Sequence, residues 1–451
     1  MADNRTIPAN PPSKRKKAKK EKPKWLPNNK SPLKYFIPKS SQTAYLNDVH
    51  IGEMDLPFLF LVIVLLVFGL VIMYSASYAW GIHDGEGPYY YFLHQLQMAG
   101  IGLVLMLLLA SPLFDYHVMK NPVITYGVFL VSLLLMVLVF TSLGISDADA
   151  SRWIRIGSLR FQPSEIVKLT MIMVFAYIMS ANYKNMRTIK YGIIPYLLIM
   201  GVVLLLTMLQ RHLSATIIIA CIGLAMIFVG GARLDHFIGL VAMIGAAGGA
   251  AFYLLYTTGK FDYVMTRIEG WLDPFAKENR DLAWQTRNSL IAIGSGGVFG
   301  LGLGNSRQKF LYLPESKNDF VFAIVCEELG FIGAALVIIL FLALVFRGFA
   351  IAQNAPDKYG MLLATGLMFQ LGLQAMLNIA VVTNSIPNTG ISLPFFSYGG
   401  TALVLQLTEM GIVLNISRQS IPNKNKQDTP AETKELQEIH KAKQQLRKRD
   451  N

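Results

Sequence analysis

IGSGGVFGLGLGNSRQKFLYLPESKNDFVFAIVCEELGFIG, residues 293–333, runs from a glycine-rich segment through Leu313-Pro314-Glu315 to an aspartate at the threshold of an apolar helix. Asp319 is followed at once by Phe320-Val321-Phe322-Ala323-Ile324-Val325. An acid placed where water gives way to hydrocarbon is costly to ionise unless it is solvated, paired or used in chemistry. The stretch reads as the mouth of a membrane helix, and Asp319 is its first candidate for catalysis.

The rest of the chain agrees. Of 451 residues, 53% are hydrophobic and only 15% charged, against about 25% charged in soluble domains. Residues 58–72, 123–140 and 196–208 carry no charge at all, and a bilayer core of ~30 Å takes roughly 20 apolar residues per helix. The expected fold is an all-α polytopic membrane protein. About ten transmembrane helices fall at 56–76, 95–111, 122–143, 165–181, 190–209, 214–231, 236–256, 320–346, 358–382 and 398–417. A large extracytoplasmic loop, 257–318, would separate spans seven and eight.

The net charge of +13 sits almost wholly in two tails. Residues 1–54 hold 12 Lys/Arg against 4 acids, and 418–451 hold 9 against 5. Such a distribution excludes a nucleic-acid cleft and favours cytoplasmic, membrane-flanking tails. The first tail is Pro/Lys-rich and expected to be disordered. In the second, Thr429-Pro430-Ala431-Glu432 could start a short amphipathic helix, with a solvated tail as the alternative. No cleavable signal peptide is visible, so the first span would be an uncleaved insertion signal. With both termini inside, Lys184, Arg187, Arg347 and Lys358 fall on cytoplasmic turns and the Lys/Arg-free loop 78–94 falls outside. Cys221 and Cys326 lie in apolar segments as small core residues, neither a disulfide framework nor a metal site.

Five groups of residues invite a functional reading. The glycines at 294–304 follow neither nucleotide-binding spacing. They suit a re-entrant or surface segment roofing a cavity, or close helix packing. Glu165 and Lys168 share a helical face at the outer start of a span, for mutual pairing or for a substrate. Arg152-Trp153-Ile154-Arg155 joins guanidinium forks to an interfacial indole, a combination suited to phosphate. Gln210-Arg211-His212-Leu213-Ser214 is either solvated capping or ligand contact. Gln374, Asn378 and Asn384, with the Pro/Gly-interrupted segment 387–400, form a cavity wall or polar glue between helices.

These residues resemble the SEDS family (shape, elongation, division and sporulation), whose members polymerise glycan strands of peptidoglycan. The matching blocks are Tyr74-Ser75-Ala76-Ser77, Arg152-Trp153-Ile154 through Phe161-Gln162-Pro163-Ser164-Glu165 with Lys168, residues 289–330, and 390–400 with LPFFSYGG. Residues 302–309 and Leu313-Pro314-Glu315 are more similar to the division branch than to the elongation branch, though division, elongation and sporulation members share the blocks. Lys317-Asn318 stand where the family commonly has His-Thr, Asn288 replaces a frequent glutamine, and Arg211 to Ser214 replace a Pro-Asp-Leu-Gly form.

The resemblance implies a membrane glycosyltransferase acting on lipid II, with Asp319 as general base and undecaprenyl pyrophosphate as leaving group. Substrate contacts would come from Arg152, Trp153, Arg155, Gln162, Ser164, Glu165, Lys168, Arg211, Gln308, Lys309, Glu315 and Ser397, with Arg307 as a further cation. It implies a divalent cation (Mg or Mn) as an aid, no organic cofactor and no dedicated metal cluster. Its partners would be a class B penicillin-binding protein and other divisome proteins, at the septal plasma membrane. A lipid II flippase or other transporter, or a non-catalytic scaffold for a transpeptidase, would use the same cavity differently.

Overall fold

The computed structural model describes residues 52–147, 150–157, 159–257, 269–276 and 283–419. The expectations for both tails, including the helix from Thr429, and for residues 258–268 and 277–282 of the loop therefore lie outside the described residues.

Helices dominate: α1 (Leu56–His83), α2 (Tyr90–Ala110), α3 (Pro122–Leu138), α4 (Pro163–Ala181), α5 (Ile194–Leu209), α6 (Leu213–Val229), α7 (Leu234–Thr257), α8 (Trp284–Gly296), α9 (Val321–Gln353), α10 (Lys358–Val382) and α11 (Gly400–Gln419). Their starts follow from local sequence. Asp55 accepts from Phe58 N, Asn121 from Val123 N and Asp357 from Gly360 N, each filling a donor that the first helical turn leaves open. Prolines 57, 122 and 163 occupy first-turn positions, where no backbone N–H is missed.

Among the described residues, seven helical stretches are long and apolar enough to cross a membrane: Leu56–His83, Tyr90–Ala110, Pro163–Ala181, Ile189–Leu209, Val321–Gln353, Lys358–Val382 and Gly400–Gln419. Shorter apolar helices, Pro122–Leu138, Leu213–Val229 and Leu234–Met243, fall on the other expected spans. Leu93, Leu96, Val104, Leu107 and Leu108 of α2 are exposed, as a helix facing lipid requires. The centre is α4, packed against α3, α5, α6, α10 and α11, while α1 lies along α9 and α2 along α11.

One expected span is broken. Inside α9, Gly330 has φ 65° and ψ −163°, a conformation open to glycine and strained for other residues. The carbonyls freed on its N-terminal side accept from the glycine-rich segment: Leu301 N donates to Glu327 O and Gly302 N to Glu328 O. In return Phe331 N donates to Gly297 O and Ile332 N to Val298 O. A Cβ on Gly330 would stand 2.3 Å from Gly300 N, one on Gly300 2.1 Å from Glu328 O, and one on Gly296 1.9 Å from Cys326 O. The glycines thus let two backbones meet, which is how irregular chain persists at membrane depth. Close packing through small residues, one of the two sequence readings, is what α8 and the segment after it make with α9.

The all-α expectation omitted a three-stranded antiparallel sheet, β1 (Gly144–Asp147), β2 (Ala150–Ile156) and β3 (Leu159–Phe161), between α3 and α4. Its signal is the β-branched and aromatic content of Trp153, Ile154 and Ile156 between arginines, which reads equally as a charged loop. Trp153 pairs with Ile145 and Ser151 with Ser146, leaving Arg152 as an extra residue in β2. This is a β-bulge, a device that re-aims a side chain.

At the opposite end of the bundle from Asp319, Asp357 ties two connections together. It accepts from Tyr116 OH at 2.8 Å and from Lys120 Nζ at 2.8 Å, and His117 Nε2 lies 3.6 Å away. These bonds to His117 and Lys120, outweighing burial, hold its carboxyl well below the usual range.

Candidate functional site

Asp319 closes the segment that leads into α9. Asn378 Nδ2 of α10 donates to Asp319 O and to Ile391 O, each at 2.6 Å. Ser397 Oγ donates to Asn318 O at 2.7 Å, and Tyr398 N to Lys317 O at 2.8 Å. The backbone around Asp319 is therefore clamped by α10 and by the 390–400 segment. That segment is itself held by amides: Gln95 donates to Ser397 O, Gln374 to Ser392, and Gln406 accepts from Phe395 N. Of the two sequence readings of this cluster, these bonds are the polar glue between helices.

The carboxylate of Asp319 is half-buried, and no described residue hydrogen-bonds to it. Gly390 lies across from it, where a Cβ would stand 3.1 Å from Oδ2. Burial pushes the Asp319 pKa up to about 7, the charge of Glu315 adds to the rise, and Arg152 opposes it. Glu315 holds φ 57° and accepts from Asn318 Nδ2. Left-handed backbone at a non-glycine residue stores strain and clusters at functional sites.

A second wall comes from β2 and the α5–α6 turn. Arg152 Nη2 donates to Arg211 O at 2.9 Å, and Arg211 has φ 53°. Gln162 Nε2 lies 3.3 Å from His212 Nε2, and Ser164 Oγ lies 3.4 Å from His212 Nδ1. Burial, then Arg152 and Lys168, push the His212 pKa down to about 3, so its ring is neutral. Ser214 Oγ donates to Thr389 O and joins this turn to Gly390, beside Asp319. Arg152 Nε, Thr389 Oγ1, Asn378 Oδ1 and Asn318 Oδ1 are buried and find no partner among the described residues. Buried polar atoms are seldom left so without a reason.

With α9 broken, a glycine segment folded onto it and an acid at its mouth, the arrangement can be set against known proteins. A family model described as a cell cycle protein, covering FtsW, RodA and SpoVE, matches residues 56–421. The chain belongs to this family. Within the FtsW/RodA/SpoVE family it is 39% identical to stage V sporulation protein E of Bacillus subtilis over 81% of this chain and 97% of that one. It is 37% identical to a probable peptidoglycan glycosyltransferase FtsW of Geobacter sp. (strain M18), over 80% and 96%. Among solved structures it resembles a chain of a peptidoglycan synthase complex, with TM-score 0.67 and 26% identity over 81% and 98%. It also resembles Thermus thermophilus RodA, with TM-score 0.59 and 25% identity over 82% and 98%.

The family blocks do not all reach the same place. Lys168 is buried, 2.9 Å from Glu165 Oε2 and 3.3 Å from Gln374 Oε1, so the two charged residues pair within the bundle. Lys309 is buried too, and its ammonium donates to Glu328 Oε1 at 3.0 Å, Ser75 Oγ at 2.9 Å and Gly304 O at 2.6 Å. All three of its protons are engaged. Ser397 both accepts from Leu393 N and donates to Asn318 O, shaping backbone. Gln308 gives its backbone N–H to Glu327, and Arg307 N does the same. Arg155 pairs across the sheet with Arg160, whose guanidinium lies 5.0 Å from the Trp153 ring.

Sequence reasoning missed Glu327 and Glu328. Both are buried in α9, where they receive Ser306 Oγ, Arg307 N, Ser75 Oγ and Lys309 Nζ. Two adjacent acids inside an apolar run are a visible signal on insertion energetics alone, and they anchor the glycine segment that Asp319 follows.

Proposed function

We infer that this protein is a peptidoglycan glycosyltransferase of the FtsW type, polymerising lipid II into glycan strands. The observation that carries the reading is the Asp319 carboxylate: half-buried, without a hydrogen bond among the described residues, its pKa raised to about 7, within the field of Arg152. Relatives named for this activity, at 34–37% identity over most of the chain, support it.

The residues suit one displacement. An acceptor sugar hydroxyl attacks the anomeric carbon of the donor and gives its proton to Asp319. A base titrating near 7 is half-ionised at neutral pH and still strong enough to accept that proton. The bond from the anomeric carbon to the pyrophosphate oxygen breaks, and undecaprenyl pyrophosphate leaves with the electron pair. Arg152 is the cation whose field reaches Asp319, and it stabilises the charge that develops on the leaving group. Neutral His212 fixes Gln162 and Ser164 and exchanges no proton near pH 7.

Among the described residues, no group of three or more His, Cys, Asp or Glu could hold a metal ion. A cation held mainly by substrate phosphates needs only one or two protein carboxylates, and Glu315, whose charge Asp319 feels, fits that part. Such an ion would supply charge neutralisation at the pyrophosphate.

In this reading the chain spans the plasma membrane about ten times with both termini cytoplasmic, and Asp319 faces outward. It works at the division septum with a class B penicillin-binding protein and other divisome proteins. Likeness to a synthase complex supports the transpeptidase partner. The test is reconstitution with that partner, lipid II and a divalent cation, with polymer resolved on a gel. Wild type should make polymer and Asp319→Ala none. Equal polymer from both would remove Asp319 as base, and lipid II movement across vesicles without any polymer would favour a flippase.

A further inference from the structure

Ser316, Lys317, Asn318 and Asp319 are each held by another part of the fold. Ser316 Oγ accepts from Trp80 Nε1 at 2.9 Å. Asn318 O accepts from Ser397 Oγ, and Asp319 O from Asn378 Nδ2. Lys317 is held twice. Its carbonyl accepts from Tyr398 N, and its ammonium reaches across to the last turn of α1 and the first turn of α2. Nζ stands 3.6 Å from the centre of the Tyr91 ring, 4.7 Å from that of Trp80 and 3.6 Å from Asp84 Oδ2. Tyr91 OH donates to the same Asp84 oxygen, and His83 Nδ1 lies 3.1 Å from the other. The Tyr91 ring in turn meets Tyr398 edge-on, with centroids 5.0 Å apart. Two aromatic faces and a carboxylate thus box one cation. With the lysine side chain only 12% exposed, water screens that attraction little.

The Asp319 carboxyl has no hydrogen bond among the described residues, so its place is set through its backbone. The holds at Ser316, Asn318 and Asp319 are neutral hydrogen bonds, and the one at Lys317 is a charge. We propose that Lys317 is a positioning residue of the site: seated in the box of Trp80, Tyr91 and Asp84, it ties α1 and α2 to the 316–319 backbone and fixes where the Asp319 carboxyl is presented. Lys317 is also one of the positions at which the sequence departs from the usual family form, and the box is what a lysine there engages. Displacing a reacting group by ~1 Å can cost about 10²-fold in rate. The clamp itself is a matter of structure, and its service to catalysis rests on the reading of Asp319 as base.

The test is amide hydrogen exchange on the full-length protein in detergent, beside lipid II polymerisation with the transpeptidase partner. Asn318 N and Phe320 N both donate to Glu315 O, so their exchange reports how firmly the segment is held. Lys317→Gln should speed exchange of both about tenfold and lower kcat about tenfold at nearly unchanged KM. Lys317→Arg, a cation that also sits on aromatic faces, should keep both near wild type. Adding Asp84→Asn to Lys317→Gln should cost little more, because both act through one box, and a second full loss overturns that box. Unchanged exchange in Lys317→Gln overturns the clamp, and faster exchange with unchanged kcat overturns its service to catalysis. Asp319→Asn, run alongside, separates the two readings: full polymerisation by that variant removes Asp319 as base and leaves the exchange result standing. Should Lys317→Gln fail to fold, Asp84→Asn, which keeps the lysine, is judged by the same two readouts.

Discussion

Lys309 Nζ stands 3.0 Å from Glu328 Oε1 with both side chains out of reach of solvent. The pair fastens the glycine segment to the broken helix α9 from within. Removing one member leaves the other as an uncompensated buried charge, which costs on the order of 3–5 kcal/mol. Lys309→Met should therefore lower the thermal midpoint sharply, and Lys309→Met/Glu328→Met should recover at least half the loss. Polymerisation by the double variant at a temperature where it is folded checks the assignment. A lysine that met pyrophosphate would leave the double variant folded and inactive.

Asp319→Asn should reduce polymerisation by roughly 10²–10⁴-fold without loss of fold. In the wild type the rate should climb with pH and level off above about 7, where the carboxylate is ionised. Lipid II polymerisation measured from pH 5.5 to 8.5 gives the profile.

The neighbours of Asp319 should move that profile in opposite directions. Glu315 raises the Asp319 pKa and Arg152 lowers it. Glu315→Gln should shift the rising limb to lower pH, and Arg152→Gln to higher pH with a lower plateau. Shifts of the same sign in the two variants would contradict the placement of these charges.

Asp319 should also work against stability. Its folded pKa of about 7 lies above the ordinary 3.8, so the folded state holds its proton more tightly than the unfolded chain. The stability this gives is complete below pH 3.8 and lost as pH rises through 7. Asp319→Asn should then melt higher than wild type at pH 8, with a smaller difference at pH 5. Thermal melts at the two pH values decide it.

Asp319 was legible because its chemistry is local: an acid beside an apolar run announces its own cost. The glycine run was legible as irregular chain at depth, yet its partner was not. Meeting the carbonyls of Glu327 and Glu328 depends on the break at Gly330, and nothing in the periodicity of α9 marks that residue. For Lys309 the family resemblance implies contact with substrate. Its burial beside Glu328 comes from a contact between residues nineteen apart. Arg152 and Arg155 read as one clamp, because a bulge has no signature in a three-residue spacing.

Gly296, Gly300 and Gly330 press backbone against backbone at distances that admit no methyl group. A part of the chain that tolerates no larger residue thus contains no reactive group. A screen for lost growth would light up this silent junction as brightly as the acid it supports, and only a measurement of folding would tell the two apart.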